Sequence, residues 1–319
     1  MECSDMYAQL KSFDAQYIPF PPFVAAMNAI EANLKLFRET GIAKHVLVTG
    51  EAGTGKSSLC RWLAHQHPPR RLLDRNKVEV LIATVPPAAT VAGVIDAMLT
   101  ALGDPWHYKG TISGKMFRIS KLCKECGVEL MLFDEAQHLH DRGDTRTHYM
   151  VGDWFKSLID EVGVPTGLVG LPRVEQILQI NDQLRRRFSS RLRLAMGQSD
   201  TVNIETECLQ LFLSLVSLIN VSVTSTPYSA QEMGQRLYFA SDGRVAYIKK
   251  LLAAALRHAL EQDMEIIDAT MLEKAFTEEI WWEGIGKLNA FNPHFEFRRL
   301  DRGGEPFQAA HSAVRRRSM

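Results

Sequence analysis

The chain has 319 residues, of which 46% are hydrophobic and 23% are charged, with 37 Lys and Arg balancing 37 Asp and Glu. This composition supports a buried core and excludes a chain that is disordered throughout, and at roughly 100 to 200 residues per domain the length predicts about two domains. A net charge of zero also excludes a uniformly basic surface, so any nucleic-acid contact must come from a local patch.

Cysteine usage bears on where the protein works. The cysteines are few, scattered and odd in number, and no basic, apolar leader precedes them, which favours a reducing cytoplasm. They are Cys3, Cys60, Cys123, Cys126 and Cys208. The longest apolar stretch, residues 209–223, is interrupted by polar residues, so no membrane partner or membrane-spanning segment is predicted.

Residues 1–40 are predicted to form an N-terminal lead-in segment and helix. Its proline-containing part, residues 17–23, is expected to be extended and laid across another surface, because proline fixes φ and removes hydrogen-bond donors. An apolar-periodic helix is predicted over residues 24–37.

Residues 41–197 alternate short β-type runs with segments of helical period. This alternation predicts an α/β domain with a parallel sheet, because each crossover helix buries its apolar stripe against the strands. The runs are residues 45–49, 78–85, 128–133, 167–170 and 191–195.

After residue 197 the helical period takes over. Helices are predicted over residues 205–219, 230–240, 243–262 and 268–280, the last with Asp268 as its N-cap, which makes residues 198–280 a small all-α domain. Residues 281–319 lack a period and are interpreted as a basic, aromatic C-terminal tail. Its aromatic residues suggest docking on a partner.

The segment Gly50-Glu-Ala-Gly-Thr-Gly-Lys-Ser57 follows the first predicted strand and opens a helix. Its glycines let successive backbone N–H groups converge on phosphate oxygens at the positive end of that helix. Lys56 is predicted to neutralise phosphate charge, and Ser57 to ligate magnesium. The predicted ATP-binding residues are Glu51, Ala52, Gly53, Thr54, Gly55, Lys56, Ser57 and Ser58.

Two acids follow the buried run at residues 130–133. The carboxyl end of such a strand is the edge where ligands bind in open α/β sheets. Asp134 suits Mg²⁺ coordination, and Glu135 suits a base that deprotonates the attacking water in phosphoryl transfer.

Three adjacent arginines, Arg185 to Arg187, lie between the fourth and fifth predicted strands. They cannot all be buried, because an unpaired buried guanidinium costs several kcal/mol. Two interpretations stay open: a solvated basic face, or an arginine finger that reaches the γ-phosphate in a neighbouring subunit. The finger is favoured, given the motifs that precede it.

Taken together, these motifs resemble the AAA+ ATPases and, within them, the TniB/TnsC family of transposon-encoded regulators. The resemblance spans about residues 19–279, with the Asp-Glu-Ala-Gln-His box at 134–138, the Gln-Leu-x-x-Arg-Phe spacing at 183–188, and Asp242-Gly-Arg244 in the lid. It implies an AAA+ domain followed by a helical lid, with Arg187 as the finger, Arg186 as its close alternative, and Arg244 as a nucleotide-sensing arginine.

One position departs from the AAA+ pattern. Many AAA+ proteins place a polar sensor at the end of the fourth strand, whereas Gly170-Leu171-Pro172 offers no side-chain donor. Slow hydrolysis is the expected consequence, although Thr166 is a candidate to reach the site.

A basic stretch at residues 106–124 is the candidate for DNA contact. It holds five Lys and Arg and no acid, and a helix is expected to begin near Ser113. Lys109, Thr111 and Lys115 are the candidates to contact the phosphate backbone without base readout. The alternative is a solvated amphipathic helix with Met116, Phe117, Ile119, Leu122 and Cys123 inward. The resemblance to the family favours DNA.

The resemblance implies an ATP-dependent oligomer that binds double-stranded DNA without sequence preference and regulates transposition. Target-site selection and the recruitment and activation of a transposase would depend on ATP and Mg²⁺ held between subunits. The expected partners are the chain itself, in a hexameric or heptameric ring or a helical filament, a transposase and a targeting adaptor. Two alternatives remain: a nucleotide-gated scaffold that does not hydrolyse ATP, and an ATPase of a secretion or helicase-loading system.

Overall fold

The computed structural model describes residues 3–16, 19–73, 75–87, 89–140 and 145–308. They form two compact units: the α/β unit spans Pro19–Ala195, and the helical unit combines the described parts of Met196–Met319 and Met1–Ile18. The helices are α1 (Cys3–Ala15), α2 (Pro21–Thr40), α3 (Lys56–Gln66), α4 (Val91–Ala101), α5 (Ile112–Glu125), α6 (Thr145–Val162), α7 (Glu175–Ile180), α8 (Asp182–Arg187), α9 (Ile204–Val216), α10 (Ala230–Ser241), α11 (Val245–Glu261) and α12 (Ala269–Glu279). The strands are β1 (Val46–Thr49), β2 (Arg70–Arg71), β3 (Asn76–Lys77), β4 (Val80–Thr84), β5 (Leu130–Asp134), β6 (Thr166–Gly170), β7 (Ser190–Arg193), β8 (Ser222–Val223) and β9 (Ile266–Ile267).

A five-stranded parallel sheet forms the core of the α/β unit, in the order β4-β5-β6-β1-β7. β1, β5 and β6 are buried along their whole length, as expected for strands of a parallel sheet covered by helices. Each of the five predicted β-type runs overlaps one of these strands. The predicted α/β class is therefore confirmed, and β6 lies between the two strands that carry the predicted site.

The start of α2 corrects one prediction. Pro21 and Pro22 form the first turn of the helix instead of an extended segment, because the first helical positions need no N–H donor and proline already has a helical φ. Phe20 and Phe23 are buried in the α/β unit. Tyr17 and Ile18, also predicted to be extended, lie outside the described residues.

The helical unit contains the four helices predicted after residue 197. The side chain of Asp268 accepts a hydrogen bond from the Met271 N–H at 3.0 Å and so caps α12 as predicted. The apolar residues of α11 that recur every three or four positions, from Val245 to Ala259, are buried on one face of the helix. The unit is not purely helical, because β8 and β9 form a short parallel pair.

The N-terminal helix α1 groups with the helical unit and not with α2. The Lys249 ammonium on α11 donates hydrogen bonds to the backbone oxygens of Asp14 and, at 3.2 Å, of Gln16. Residues 1–40 therefore do not behave as one lead-in segment.

The segment after α12 corrects the interpretation of residues 281–319 as a tail. Through residue 307 it is built into the helical unit: Phe291, Phe295 and Phe307 are buried, and the hydroxyl of Tyr228 donates to the Phe291 carbonyl at 2.6 Å. Nδ2 of fully buried Asn289 lies within hydrogen-bonding distance of three oxygens. Phe291, Phe295 and Phe307 thus dock on their own chain, whereas Trp282 is 77% exposed. Irregular backbone held by side chains leaves no period for the sequence to reveal. Residues 309–319, with three of the tail's arginines, lie outside the described residues.

Within the part of the chain that the structure describes, no helix is both long and apolar enough to cross a membrane.

Candidate nucleotide-binding site

The loop between β1 and α3 has the geometry of a phosphate-binding loop. Gly53 and Gly55 adopt φ values of 82° and 93°, in the left-handed region that glycine enters without steric cost. A Cβ atom on Gly50 would lie 2.4 Å from the Thr54 hydroxyl oxygen and 2.8 Å from the backbone oxygen of Leu194, so this position also requires glycine. The loop leads directly into the N-terminus of α3, where free N–H groups favour anions.

Lys56 begins α3 and is buried. Its ammonium donates a hydrogen bond to the Glu51 carbonyl oxygen at 2.9 Å, within the loop that would surround a phosphate. Burial lowers the pKa of Lys56, while the carboxylates of Glu135 and Asp134 act in the opposite direction. The ammonium therefore stands where a polyphosphate can replace the carbonyl as its partner.

Asp134 ends β5 and is buried beside the phosphate loop. Its carboxylate is hydrogen-bonded by the Ser57 side chain and, at 2.8 Å, by the Glu135 N–H. Burial raises the pKa of Asp134 against the effect of these hydrogen bonds. The contact brings together the two residues predicted to hold magnesium.

These two side chains fit Mg²⁺, which takes oxygen ligands and keeps several waters and phosphate oxygens in its shell. The described residues contain no group of three or more His, Cys, Asp or Glu side chains that could hold a metal. A magnesium ion here would thus be shared between Ser57, Asp134 and a nucleotide. When bound, it would neutralise charge on the β- and γ-phosphates.

Glu135 follows Asp134 with a φ of 56°, which is uncommon for a residue with a side chain and is found at functional sites. Its carboxylate accepts a hydrogen bond from the Gln137 side-chain amide, and His138 Nε2 lies 3.9 Å from the same carboxylate. In the sequence Gln137 stands out only as part of the Asp-Glu-Ala-Gln-His motif, which by itself predicts no role for it.

The arginine cluster separates into three different environments. Arg187 forms a two-point ion pair with Asp160 on α6, and Arg185 pairs with Asp182 at 2.9 Å. Arg186 is exposed, and among the described residues no acidic side chain pairs with it. The geometry therefore favours Arg186, the alternative, over Arg187 as a group free to reach a neighbouring molecule.

Thr166 does not reach the site, so the prediction that it could supply the missing polar side chain is wrong. It begins β6, whereas the site lies at the carboxyl ends of the strands. Its hydroxyl donates to the Val164 carbonyl at 3.2 Å, and its N–H donates to His45 Nδ1 at 3.1 Å.

Arg244 belongs to the helical unit, at the N-cap of α11. Its guanidinium lies 3.4 Å from the Asp242 carboxylate and 5.7 Å from the ring centre of Phe307. Its nucleotide-sensing role remains a prediction from the resemblance.

In the basic stretch at residues 106–124, the predicted positions of Lys115 and Phe117 are wrong. Lys115 is only 6% exposed, and its ammonium binds Asp96 on α4 at 2.6 Å, so it is unavailable to a phosphate. Thr111 caps α5, which begins at Ile112, by accepting from the Gly114 N–H. Phe117, predicted inward, is 67% exposed. The spacing of Lys115, Ile119 and Cys123 by four residues contained this information, because it places all three on one helix face.

Lys109 remains accessible at the tip of the same stretch. Its ammonium lies 3.9 Å from the ring centre of exposed Trp106, and Arg118 donates to the Lys109 carbonyl at 2.8 Å and the Trp106 carbonyl at 3.1 Å. Arg118 thus ties the loop to α5, and the loop presents a lysine and an indole ring at the surface.

Two aromatic residues of the lead-in support the phosphate loop. A Cβ atom on Gly55 would lie 3.6 Å from the ring of Phe23 and 4.0 Å from that of Phe20. The proline-containing sequence predicts that this segment lies across another surface, but nothing in it identifies that surface as the phosphate loop.

The sheet order, the phosphate loop after β1 and the acidic pair after β5 define a P-loop NTPase of the AAA+ class. Similar solved structures include the Aeropyrum pernix ORC2 protein in ADPNP-ADP complexes (TM-score 0.59, 15% identity, covering 84% of this chain and 71% of that chain). Cdc6p from Pyrobaculum aerophilum is also similar (TM-score 0.61, 13% identity, covering 83% and 69%). A third is the Aeropyrum pernix ORC1 protein in complex with DNA (TM-score 0.59, 15% identity, covering 85% and 69%). At these identities the similarity concerns the fold.

Within this class, the family can be stated. The model of the bacterial TniB protein family matches residues 12–194, which is more than half of the chain, and the chain therefore belongs to the TniB family. No curated protein matches the sequence.

Proposed function

We propose that this protein binds Mg²⁺-ATP between the subunits of an oligomer, hydrolyses it, and uses the assembly to bind DNA and regulate transposition. The observation that carries the proposal is the gathering of Lys56, Ser57, Asp134 and Glu135 around one loop at the carboxyl edge of the sheet. Membership of the TniB family supports the link to transposition. A transposase and a targeting adaptor remain the proposed partners.

In the proposed reaction, a water oxygen attacks the γ-phosphorus of ATP. The bond from that phosphorus to the bridging oxygen breaks, ADP leaves with the bonding electron pair, and Glu135 accepts the proton of the water. The products are ADP and inorganic phosphate. Lys56 and the loop N–H groups hold the phosphates, and an exposed arginine of a neighbouring subunit, Arg186, stabilises the charge that develops.

DNA contact is assigned to Lys109 and not to Lys115. An exposed lysine held over an indole ring suits the phosphate backbone of DNA, which carries no sequence information. Repeated once per subunit, this contact would follow the duplex without sequence preference.

Two substitutions test the nucleotide site. Lys56→Ala should weaken ATP binding by roughly 10- to 100-fold, because it removes a charge-assisted hydrogen bond to phosphate. Glu135→Gln should keep ATP binding and lower kcat by about 100-fold or more, because only proton acceptance is lost. Fluorescent-nucleotide titration and phosphate release measure the two effects.

Lys35→Ala is the matched control, because Lys35 is an exposed lysine of α2 that pairs only loosely with Glu39. It should bind ATP as the parent does. Tight ATP binding by Lys56→Ala would refute the phosphate-loop assignment, and parental turnover by Glu135→Gln would show that Glu135 is not the base.

A non-hydrolysing scaffold is the second candidate, because the carboxyl end of β6 provides no polar side chain of its own at Gly170 or Leu171. A scaffold would assemble on DNA with ATP, and its parent and Glu135→Gln forms would release phosphate equally slowly. An unequal rate favours the ATPase.

A further inference from the structure

The carboxyl end of β6 lacks a polar side chain because another residue fills that space. A Cβ atom on Gly170 would lie 2.6 Å from Oε1 of Gln137. Gln137 lies in the short 3₁₀ helix after β5 and is only 1% exposed. Because residue 170 is glycine, the Gln137 amide can occupy the space at the carboxyl end of β6, where the strand has no side-chain donor of its own.

Both the oxygen and the nitrogen of the Gln137 side-chain amide form hydrogen bonds. Gln137 Oε1 accepts a hydrogen bond from the Leu171 N–H at 3.0 Å, and Nε2 donates to Glu135 Oε2. The orientation of the amide follows from its partners, because the Leu171 N–H can only donate and the Glu135 carboxylate can only accept. Glu135 Oε2 is thus tied to β6 through Gln137, whereas no described group hydrogen-bonds its Oε1.

We propose that Gln137 is the positioning residue for Glu135, and that it performs from the 3₁₀ helix the task that a polar residue at the end of β6 would otherwise perform. This inference rests on the proposed ATPase function. The amide holds one carboxylate oxygen, which leaves the other aimed at the attacking water. Orientation of this kind affects turnover and not nucleotide affinity, because the Gln137 amide makes its hydrogen bonds with Glu135 and Leu171, neither of which is a residue of the phosphate loop.

The first experiment tests the contact without any enzymatic activity. Gln137→Glu should lower the melting temperature, because two carboxylates then face each other. Combining it with Glu135→Gln should recover most of the loss, because the donor and acceptor are exchanged and the hydrogen bond is restored with reversed polarity. Additive losses in the double variant would overturn the contact.

The second experiment separates positioning from structural support. Gln137→Glu keeps an acceptor for the Leu171 N–H but loses the donor to Glu135, whereas Gln137→Met keeps the volume and loses both. We expect both variants to lower kcat by roughly 10- to 100-fold with unchanged KM for ATP. If Gln137 only supports β6, Gln137→Glu will turn over like the parent and Gln137→Met alone will be impaired, and the proposal fails.

Gln262→Glu is the control for an added carboxylate, because Gln262 is exposed in the helical unit, and it should match the parent in kcat and melting temperature. A parent that hydrolyses no ATP would refute the proposed function and the positioning role together, with the melting experiment still showing whether the two side chains meet. Parental activity with unaffected Gln137 variants would overturn the positioning role alone.

Discussion

His45 is a buried imidazole that precedes β1. Its Nδ1 accepts a hydrogen bond from the Thr166 N–H, and its ring packs 5.6 Å from that of Phe188. Burial and, to a smaller extent, the charge of Arg187 lower the pKa of His45 to about 4, while Asp160 acts in the opposite direction. The neutral ring is therefore part of the folded α/β unit.

A depressed histidine pKa predicts a loss of stability in acid. His45 binds a proton near pH 6.5 in the unfolded chain and only near pH 4 in the folded protein. Its contribution to the free energy of unfolding is therefore complete above pH 6.5 and is lost as the pH falls towards 4. The span corresponds to about 3 kcal/mol at most. Urea unfolding of the parent and of His45→Asn across this range measures it, since Asn retains an acceptor and does not titrate.

His45→Asn should have a flatter pH dependence of unfolding than the parent. His294→Asn serves as the control, because His294 is exposed, and should retain the parental profile. Parallel profiles for the parent and His45→Asn would mean that the acid sensitivity comes from other groups.

At the scale of elements, the basic residues of α5 and of the loop before it have two roles. Some form contacts within the protein, and others are exposed at the surface. Lys115 joins α5 to α4 through Asp96, and Arg118 closes the loop by binding its carbonyl oxygens. Lys109 is displayed beside Trp106. Substitutions of these two lysines, which are six positions apart, should therefore affect different properties of the protein.

Lys109→Ala should reduce the salt dependence of DNA binding, because each lost phosphate contact removes about 0.9 from the slope of log affinity against log salt per subunit engaged. Lys115→Met should leave this slope unchanged and lower stability by roughly 1–3 kcal/mol, since it leaves Asp96 without its partner. Fluorescence anisotropy with a labelled duplex and ATP, from about 50 to 200 mM salt, gives the slope.

Lys35→Ala controls for the loss of any exposed lysine. A slope that changes equally in the Lys109 and Lys35 variants would remove the loop from the DNA interface. A changed slope in Lys115→Met, with its melting temperature intact, would restore that residue as a phosphate contact.

For the whole molecule, the proposed oligomer requires one subunit to complete the site of another. Arg187 is tied to Asp160 within its own chain, whereas Arg186 is exposed on the same helix. The two arginines should thus differ in whether their loss can be complemented by a second subunit.

Arg186→Ala should bind ATP and lose roughly 1,000-fold or more in kcat, as expected for an arginine finger. Mixing it with Glu135→Gln protein should restore part of the activity, because a mixed interface pairs an intact Glu135 with an intact Arg186. Phosphate release at a fixed total protein concentration, over a series of mixing ratios, measures the recovery.

Arg187→Ala provides the contrast, with Asp160→Asn as its matched control. Both should lower the melting temperature alike, and neither defect should be relieved by mixing. Complementation of Arg187→Ala, with none for Arg186→Ala, would return the finger to Arg187.

The parts of the site that are contiguous in sequence could be predicted. Gly53, Gly55, Lys56 and Ser57 occupy one strand-loop-helix segment, whose geometry follows from glycine conformation and the helix N-terminus. The residues that were missed or misassigned act over longer separations. Lys115 meets Asp96 across 19 residues, and Gln137 meets Leu171 across 34.

The sequence by itself thus determined the α/β class, the order of the strands along the chain, the phosphate loop and the acidic pair, because local period and local chemistry specify them. Only the tertiary structure decided which lysine and which arginine remain free, what fills the space beside Gly170, and that residues 281–307 pack within the helical unit. Those outcomes depend on which distant side chains meet. The residue type alone does not reveal whether a charged or amide side chain contacts solvent or a buried neighbour.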